Sequence, residues 1–164
     1  IAQPVMKAAA MVLSSAYPAA IGYAALLDAA REVLAEHEAG VPADESVFRE
    51  ALFQLVAIHG VMPTIWAGPF AVEPGERPCA TALARQQAST PGWVVSGARH
   101  VAIDLDPTGR WLLGMLDGSR TLDELVAAIQ DFLAESGEAL PPATVTELTR
   151  RQLWLFARQG LLVG

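Results

Sequence analysis

The chain has 164 residues, of which 52% are hydrophobic and 18% are charged, and its formal net charge is −7. This composition predicts a packed core and excludes a disordered chain. The negative charge disfavours nucleic-acid binding and docking on an anionic membrane, because both surfaces attract cations. The single cysteine, Cys79, excludes an internal disulfide and a cysteine-rich metal site, and it fits a reducing, cytoplasmic compartment.

The first residues raise the question of a membrane segment. The chain begins at Ile1 rather than Met, so we expect it to be a piece of a longer protein. Residues 8–27 carry no charge and reach the length of a membrane span, but they are rich in alanine and are interrupted by Pro18 and Gly22. We therefore predict two short buried helices here, rather than a membrane span or a signal peptide.

Three helices are predicted in the first part of the chain from apolar residues at helical spacing. Asp44 or Ser46 is suited to cap the third helix, and a short hairpin is expected around Gly68-Pro69. The three predicted helices are Pro4 to Ala16, about Gly22 to His37, and a third that ends near Ile58.

The middle of the chain, residues 73–99, reads as a connector. It is rich in proline and glycine and holds one short helical stretch, "ATALARQQA". After it, the alternating stretch "HVAIDLD" predicts a strand, and "LLV" near the end predicts another. Between these strands three helices are expected: one capped by Asp106 or Thr108, one that begins with a Thr121–Glu124 capping box, and Thr144 to Arg158.

The two helical parts resemble each other, which predicts a tandem duplication. Apolar residues of the first part recur 99 or 100 positions later, as in Leu13 and Leu112, Leu34 and Leu133, and Leu55 and Leu155. Three helices followed by a strand or hairpin are the order of a winged helix, although a plain three-helix bundle gives the same pattern. The prediction is a mainly α fold with short strands: winged-helix-like modules at 1–72 and 100–164, joined by an irregular connector at 73–99.

No pattern in the sequence predicts catalysis or a metal site. There is no glycine-rich phosphate loop and no S-adenosylmethionine signature, and the three histidines lie in separate segments. The last helix carries Arg150, Arg151 and Arg158, which we interpret as a solvated face or as ion-pair partners. A DNA-binding regulator is therefore only a third hypothesis.

Four basic residues concentrate near the connector: Arg77, Arg85, Arg99 and His100. Their structural interpretation is that they tie the irregular segment to the helical modules. Their functional interpretation is recognition of an acidic partner or of a neighbouring domain.

Four stretches, "ERPCATALARQQA", "ARHVAIDLD", "LLGMLDGSRTLDELV" and "LWLFARQGLLV", carry a family resemblance. They resemble the C-terminal part of bacterial proteins with a methyltransferase regulatory domain, a group similar to the protein-lysine methyltransferases of outer-membrane proteins. The resemblance adds Asp117 and Arg120, in the "LLxxLDGxR" corner, to the candidate partner-binding or interdomain residues.

The resemblance implies a function for the region. It would be a non-catalytic regulatory or substrate-recognition region, without a cofactor of its own. An upstream Rossmann-like domain would hold S-adenosylmethionine, and the partners would be that domain and a protein or peptide substrate.

A second resemblance is confined to "LLGMLDGSRTLDELVAAI". This stretch is similar to a corner of small winged-helix peptide carriers, which bind a peptide along an edge strand. That strand would be residues 101–105 here. A free-standing peptide-binding or protein-docking module is therefore the alternative hypothesis.

Overall fold

The computed structural model of the chain describes residues 4–37, 44–90, 94–97 and 100–164. The chain divides into two units, Ile1–Gly68 and Pro69–Gly164, and each has its own buried apolar core. The predicted mainly helical fold is confirmed. Within the described residues, no helix is long and apolar enough to cross a membrane.

The first unit is a bundle of three helices, as predicted. Helix α1 packs against both of the others, and alanines in its buried face allow close contact. Phe48 lies at the centre of this core, fully buried, and its ring meets Tyr23 edge-on at 5.8 Å. The helices are α1 (Pro4–Ala16), α2 (Tyr23–His37) and α3 (Glu45–Ala57), with Asp44 as the N-cap of α3.

The prediction of a hairpin around Gly68-Pro69 is wrong. No strand is formed by residues 61–69, so the described part of the first unit is the plain three-helix alternative without a wing. Pro63 and Pro69 lack the N–H that a strand ladder needs. Phe70, which already belongs to the second unit, forms a β-bridge to Val163 of the same unit.

The second unit combines four helices with two small β elements. Asp106 caps α5 by accepting a hydrogen bond from Gly109 N–H at 2.6 Å, and Thr121 and Glu124 form the predicted capping box of α6. The elements are β1 (Cys79–Ala80), α4 (Ala82–Ser89), β2 (Val94–Ser96), β3 (Ala102–Asp104), α5 (Pro107–Met115), α6 (Leu122–Glu135), α7 (Pro142–Arg158) and β4 (Leu162–Val163). Helix α2 begins at Tyr23 and α6 at Leu122, so their first residues are 99 positions apart, as are the matching apolar residues in the sequence. The duplication itself stays a prediction.

Residues 73–99, which were predicted to be a connector between two modules, lie within the second unit. Their described part supplies β1, α4 and β2 to the second unit, and the division of the chain falls between Gly68 and Pro69. The physical reason is burial: Ala80, Ala84 and Val95 belong to the same core as α5, α6 and α7.

One β layer of the second unit is built from four segments that are distant in sequence. Strand β1 pairs antiparallel with β4, with Cys79 opposite Val163. On its other side Cys79 bridges Asp117, and on the far side of β4 Val163 bridges Phe70. The layer therefore takes two of its segments from before the helices α5, α6 and α7.

The second β element is the ribbon of β2 and β3. Its strands are antiparallel, with Val95 opposite Ile103, and both of these side chains are buried in the core. Gly97, at the end of β2, passes so close to the end of α7 that a Cβ atom there would lie 2.6 Å from the Gln159 carbonyl oxygen. This close approach requires glycine and holds the ribbon against α7.

Candidate interaction site at the helix corner

The turn between α5 and α6 places several charged side chains together. The chain leaves α5 at Met115, reverses at Gly118, and enters α6 after Thr121. Gly118 has φ +83°, a backbone conformation that residues with a side chain rarely adopt, so glycine is favoured at this point. We call the side chains around this turn the corner cluster: Arg77, Asp117, Ser119, Arg120 and Glu124.

Hydrogen bonds fix the corner cluster. Arg120 Nη1 donates to the Met115 carbonyl at 3.1 Å and lies 3.4 Å from both carboxylate oxygens of Asp117. Asp117 accepts the Ser119 N–H at 2.9 Å and also the Ser119 hydroxyl. Arg77 donates to the Ser119 carbonyl from the segment that precedes β1. The corner is thereby tied to a part of the chain 42 residues away.

The same contacts set the charges of the corner. The hydroxyl and then the N–H of Ser119 lower the pKa of Asp117, with a smaller contribution from Arg120. The N–H and the hydroxyl of Thr121 lower the pKa of Glu124, and Arg77 and Arg120 add to this. Both carboxylates are therefore ionised at neutral pH, beside two arginines.

The corner is accessible from solvent. The side chains of Arg120 and Asp117 are 35% and 41% exposed. An ion pair in water adds little to stability, so this pair is more important as a fixed pattern of charge on the surface.

The other predicted residues lie elsewhere. Arg85 is half-buried and donates from Nε to the Ala80 carbonyl at 3.4 Å, which joins α4 to β1. His100 is exposed in the β2–β3 turn with φ +59°, and its backbone N–H donates to Gly97. Arg99 lies outside the described residues. The structure therefore brings together three of the six, Arg77, Asp117 and Arg120, and their role stays a prediction.

The predicted edge strand, residues 101–105, forms β3. Gly97 N–H donates to the Val101 carbonyl, so the backbone groups of Val101 face β2. Because these groups alternate along a strand, the N–H and C=O of Ala102 and Asp104 point away from β2. Among the described residues, no backbone hydrogen bond reaches those groups. This side of β3 is thus an open strand edge.

Sequence reasoning missed Arg110. Its Nη1 donates to the carbonyls of Gln87 at 3.0 Å and Thr90 at 3.4 Å, which fastens the end of α4 to α5. No local pattern signals this contact, because its partners lie 20 or more residues upstream. Within the described ranges, no three His, Cys, Asp or Glu residues are grouped as metal ligands would be.

Comparison with known proteins finds a family match within the second unit. Residues 76–155 match the family described as "PKMT, C-terminal winged helix domain". The fold is similar to PKMT2 from Rickettsia typhi, with a TM-score of 0.82 and 17% identity over 98% of this chain and 34% of that one. The structure of PKMT2 from Rickettsia typhi in complex with AdoHcy gives a TM-score of 0.80 and 18% identity, with the same coverage.

The chain spans about a third of the length of the solved proteins that it resembles. At this identity their likeness shows the fold alone. No curated protein matches the chain. The resemblance to the C-terminal region of protein lysine methyltransferases is confirmed by the family match.

Proposed function

Residues 76–155 match the C-terminal winged helix domain of the protein lysine methyltransferase family, and from this premise we propose that the chain is a regulatory or substrate-recognition region. It acts within an S-adenosylmethionine-dependent protein methyltransferase and has no catalytic group of its own. The observation that carries the proposal is the family match. The similarity of fold to PKMT2 over 98% of the chain supports it.

In this proposal the cofactor and the methyl transfer belong to an upstream domain, in the cytoplasm. The corner cluster is the contact that the second unit offers to that domain or to the protein substrate. Arg77 and Arg120 are suited to this role, because both approach the same turn and carry fixed positive charge. Charge complementarity at such a surface governs association rate and specificity more than affinity.

The experiment compares the parent methyltransferase with the same protein lacking this region and with an R77A/R120A variant. S-adenosylmethionine binding is measured by calorimetry, and methyl transfer to protein by incorporation of labelled methyl groups. We expect unchanged cofactor binding and a fall in transfer of at least about tenfold, which corresponds to about 1.4 kcal/mol.

The matched control is R31A, which removes an exposed arginine that is ion-paired on α2 of the first unit. It should leave methyl transfer unchanged. Equal transfer with and without the region would contradict the proposal, and so would a loss in R31A as large as that in R77A/R120A.

A second candidate function is peptide docking by β-strand addition, and the open edge of β3 favours it. A peptide strand could accept from Ala102 N–H and Asp104 N–H, the backbone groups that β2 does not use. The variant A102P removes one outward N–H without removing a bond to β2. We expect it to weaken binding of the peptide that surrounds the methylated lysine, measured by fluorescence polarisation. Unchanged binding in A102P excludes this mode.

A further inference from the structure

The second unit carries an apolar groove away from the corner cluster. It lies between the start of α5, the end of α6 and one face of α7, and its volume is about 440 Å³. This is within the range of about 300–1,000 Å³ that is typical of binding sites. Its floor consists of side chains of the core, among them Leu112, Ile129 and Val145.

The walls of the groove are leucines that remain exposed. Leu140, Leu148 and Leu155 line it and are 42%, 49% and 43% exposed. Leu148 and Leu155 are seven residues apart, so they lie on one face of α7, about 10 Å apart along its axis. Single exposed leucines need no explanation, but three around one groove with an apolar floor are a mark of an interaction site.

The α7 wall also carries a positive charge. Arg151 lines the groove between the two leucines, is exposed, and forms no ion pair among the described residues. Two carboxylates, Asp106 before α5 and Glu138 after α6, also line the groove, so its positive charge is confined to the α7 wall. Arg31, Arg49 and Arg120 each pair with a carboxylate of the chain itself, whereas Arg150 and Arg151 on α7 have no such pair among the described residues. In a chain with net charge −7, an arginine left without such a partner is available to an external carboxylate.

We propose that this groove binds an amphipathic helix of another protein, with aliphatic residues at i, i+3 or i+4, and i+7 and a carboxylate opposite Arg151. The anchors at i and i+7 of such a helix have the same spacing as Leu148 and Leu155. The inference rests on the proposed function in one respect: it names the surface by which the winged-helix unit recognises protein.

Its test needs no methyl transfer. The complete chain is used to select from a phage library of 16-residue peptides, with leucine fixed on one helical face and flanking positions varied among Glu, Lys and Ala. We expect enrichment of Glu over Lys at the flanking position that faces Arg151. For the selected peptide, L148E should weaken affinity at least about tenfold, and R151E about fivefold, with an effect that shrinks at high salt.

Two variants serve as matched controls. Arg150 is an exposed arginine on α7 that does not line the groove, and Leu83 is an exposed leucine on α4 outside it. R150E and L83E should change affinity less than twofold. Circular dichroism and thermal melting establish that each variant is folded. Because Arg151 is exposed, R151E keeps the test valid if L148E fails to fold.

Three outcomes overturn the inference: no Glu enrichment, equal binding by wild type and R151E, or sedimentation that shows self-association of the wild-type chain that L148E abolishes. The two proposals fail separately. If the peptide binds but the parent protein transfers no methyl group to protein, the groove stands and the proposed function fails. If methyl transfer depends on the region but no peptide binds the groove, the proposed function stands and the groove proposal fails.

Discussion

The two units of this chain follow the same order of three helices but are completed differently. The first is held by an apolar core around Phe48, with no strand among its described residues. The second adds α4, a ribbon and a β layer, whose segments at Phe70 and Cys79 come from before its three helices. The preceding segment, rather than the helices, makes the difference between a plain bundle and a winged helix.

The largest expected effect tests whether the two cores are separate. Phe48 and Phe156 are both fully buried, one in each core, so alanine at either position should cost about 3–5 kcal/mol. We expect F48A to lose hydrogen-exchange protection in α1–α3 and F156A in α5–α7. Loss of protection throughout the chain in either variant would show that the units unfold as one.

A smaller effect tests the attachment of the ribbon, which the first unit lacks. A Cβ atom at Gly97 would meet the Gln159 carbonyl oxygen at 2.6 Å, so G97A should destabilise the second unit by about 1–3 kcal/mol. The control is G114A in α5, where a Cβ atom meets nothing within 4 Å, and there we expect a gain of about 0.5–1 kcal/mol. Urea unfolding measures both, and equal midpoints would contradict the role of the close approach.

A further comparison concerns the N-caps of one helix in each unit, α3 and α6. The side chain of Asp44 accepts one N–H at the start of α3, whereas Thr121 and Glu124 satisfy each other's N–H groups at the start of α6. T121A should therefore cost about 1–2 kcal/mol and D44A about 0.5–1 kcal/mol. Thermal unfolding followed by helix-resolved NMR measures the stability lost in each variant. A larger loss of stability in D44A than in T121A would contradict the prediction.

The smallest effect is a pH dependence of the corner. The pKa values of Asp117 and Glu124 lie below the unfolded values of 3.8 and 4.5. Ionised carboxylates therefore favour the folded state above these values, and this contribution is lost as the pH falls through the lower, folded values. We expect the urea midpoint to fall less between about pH 6 and pH 3 in a D117N/E124Q variant than in the wild type. Equal falls of the urea midpoint in the two proteins would show that the corner carboxylates do not contribute to the pH dependence of stability.

The sequence predicts the helices well because their information is local. Leucines and valines at helical spacing mark α6, and the Thr121–Glu124 pair marks where it begins. The β layer could not be predicted in this way, since Cys79 meets Asp117 and Val163 only in the folded chain. The connector was misleading because its buried residues are mostly alanines, whose hydrophobic signal is weak.

The candidate site shows the same limit. Asp117 and Arg120 are three residues apart in one turn, so a local motif is enough to place them together. The contact of Arg77 with Ser119 depends on the path of the whole second unit. The groove leucines were missed because Leu148 and Leu155 lie in a helix whose arginines suggested a solvated face.

The β layer also fixes where the chain enters and leaves the second unit. Gly164 N–H donates to the Pro69 carbonyl at 3.2 Å, so the two ends of the unit are neighbours. The unit is therefore topologically suited to circular permutation: a short linker can join residue 164 to residue 69, and new ends can be opened at Gly137, in the loop between α6 and α7. It could equally be inserted into a surface loop of a host protein without separating the ends of that loop.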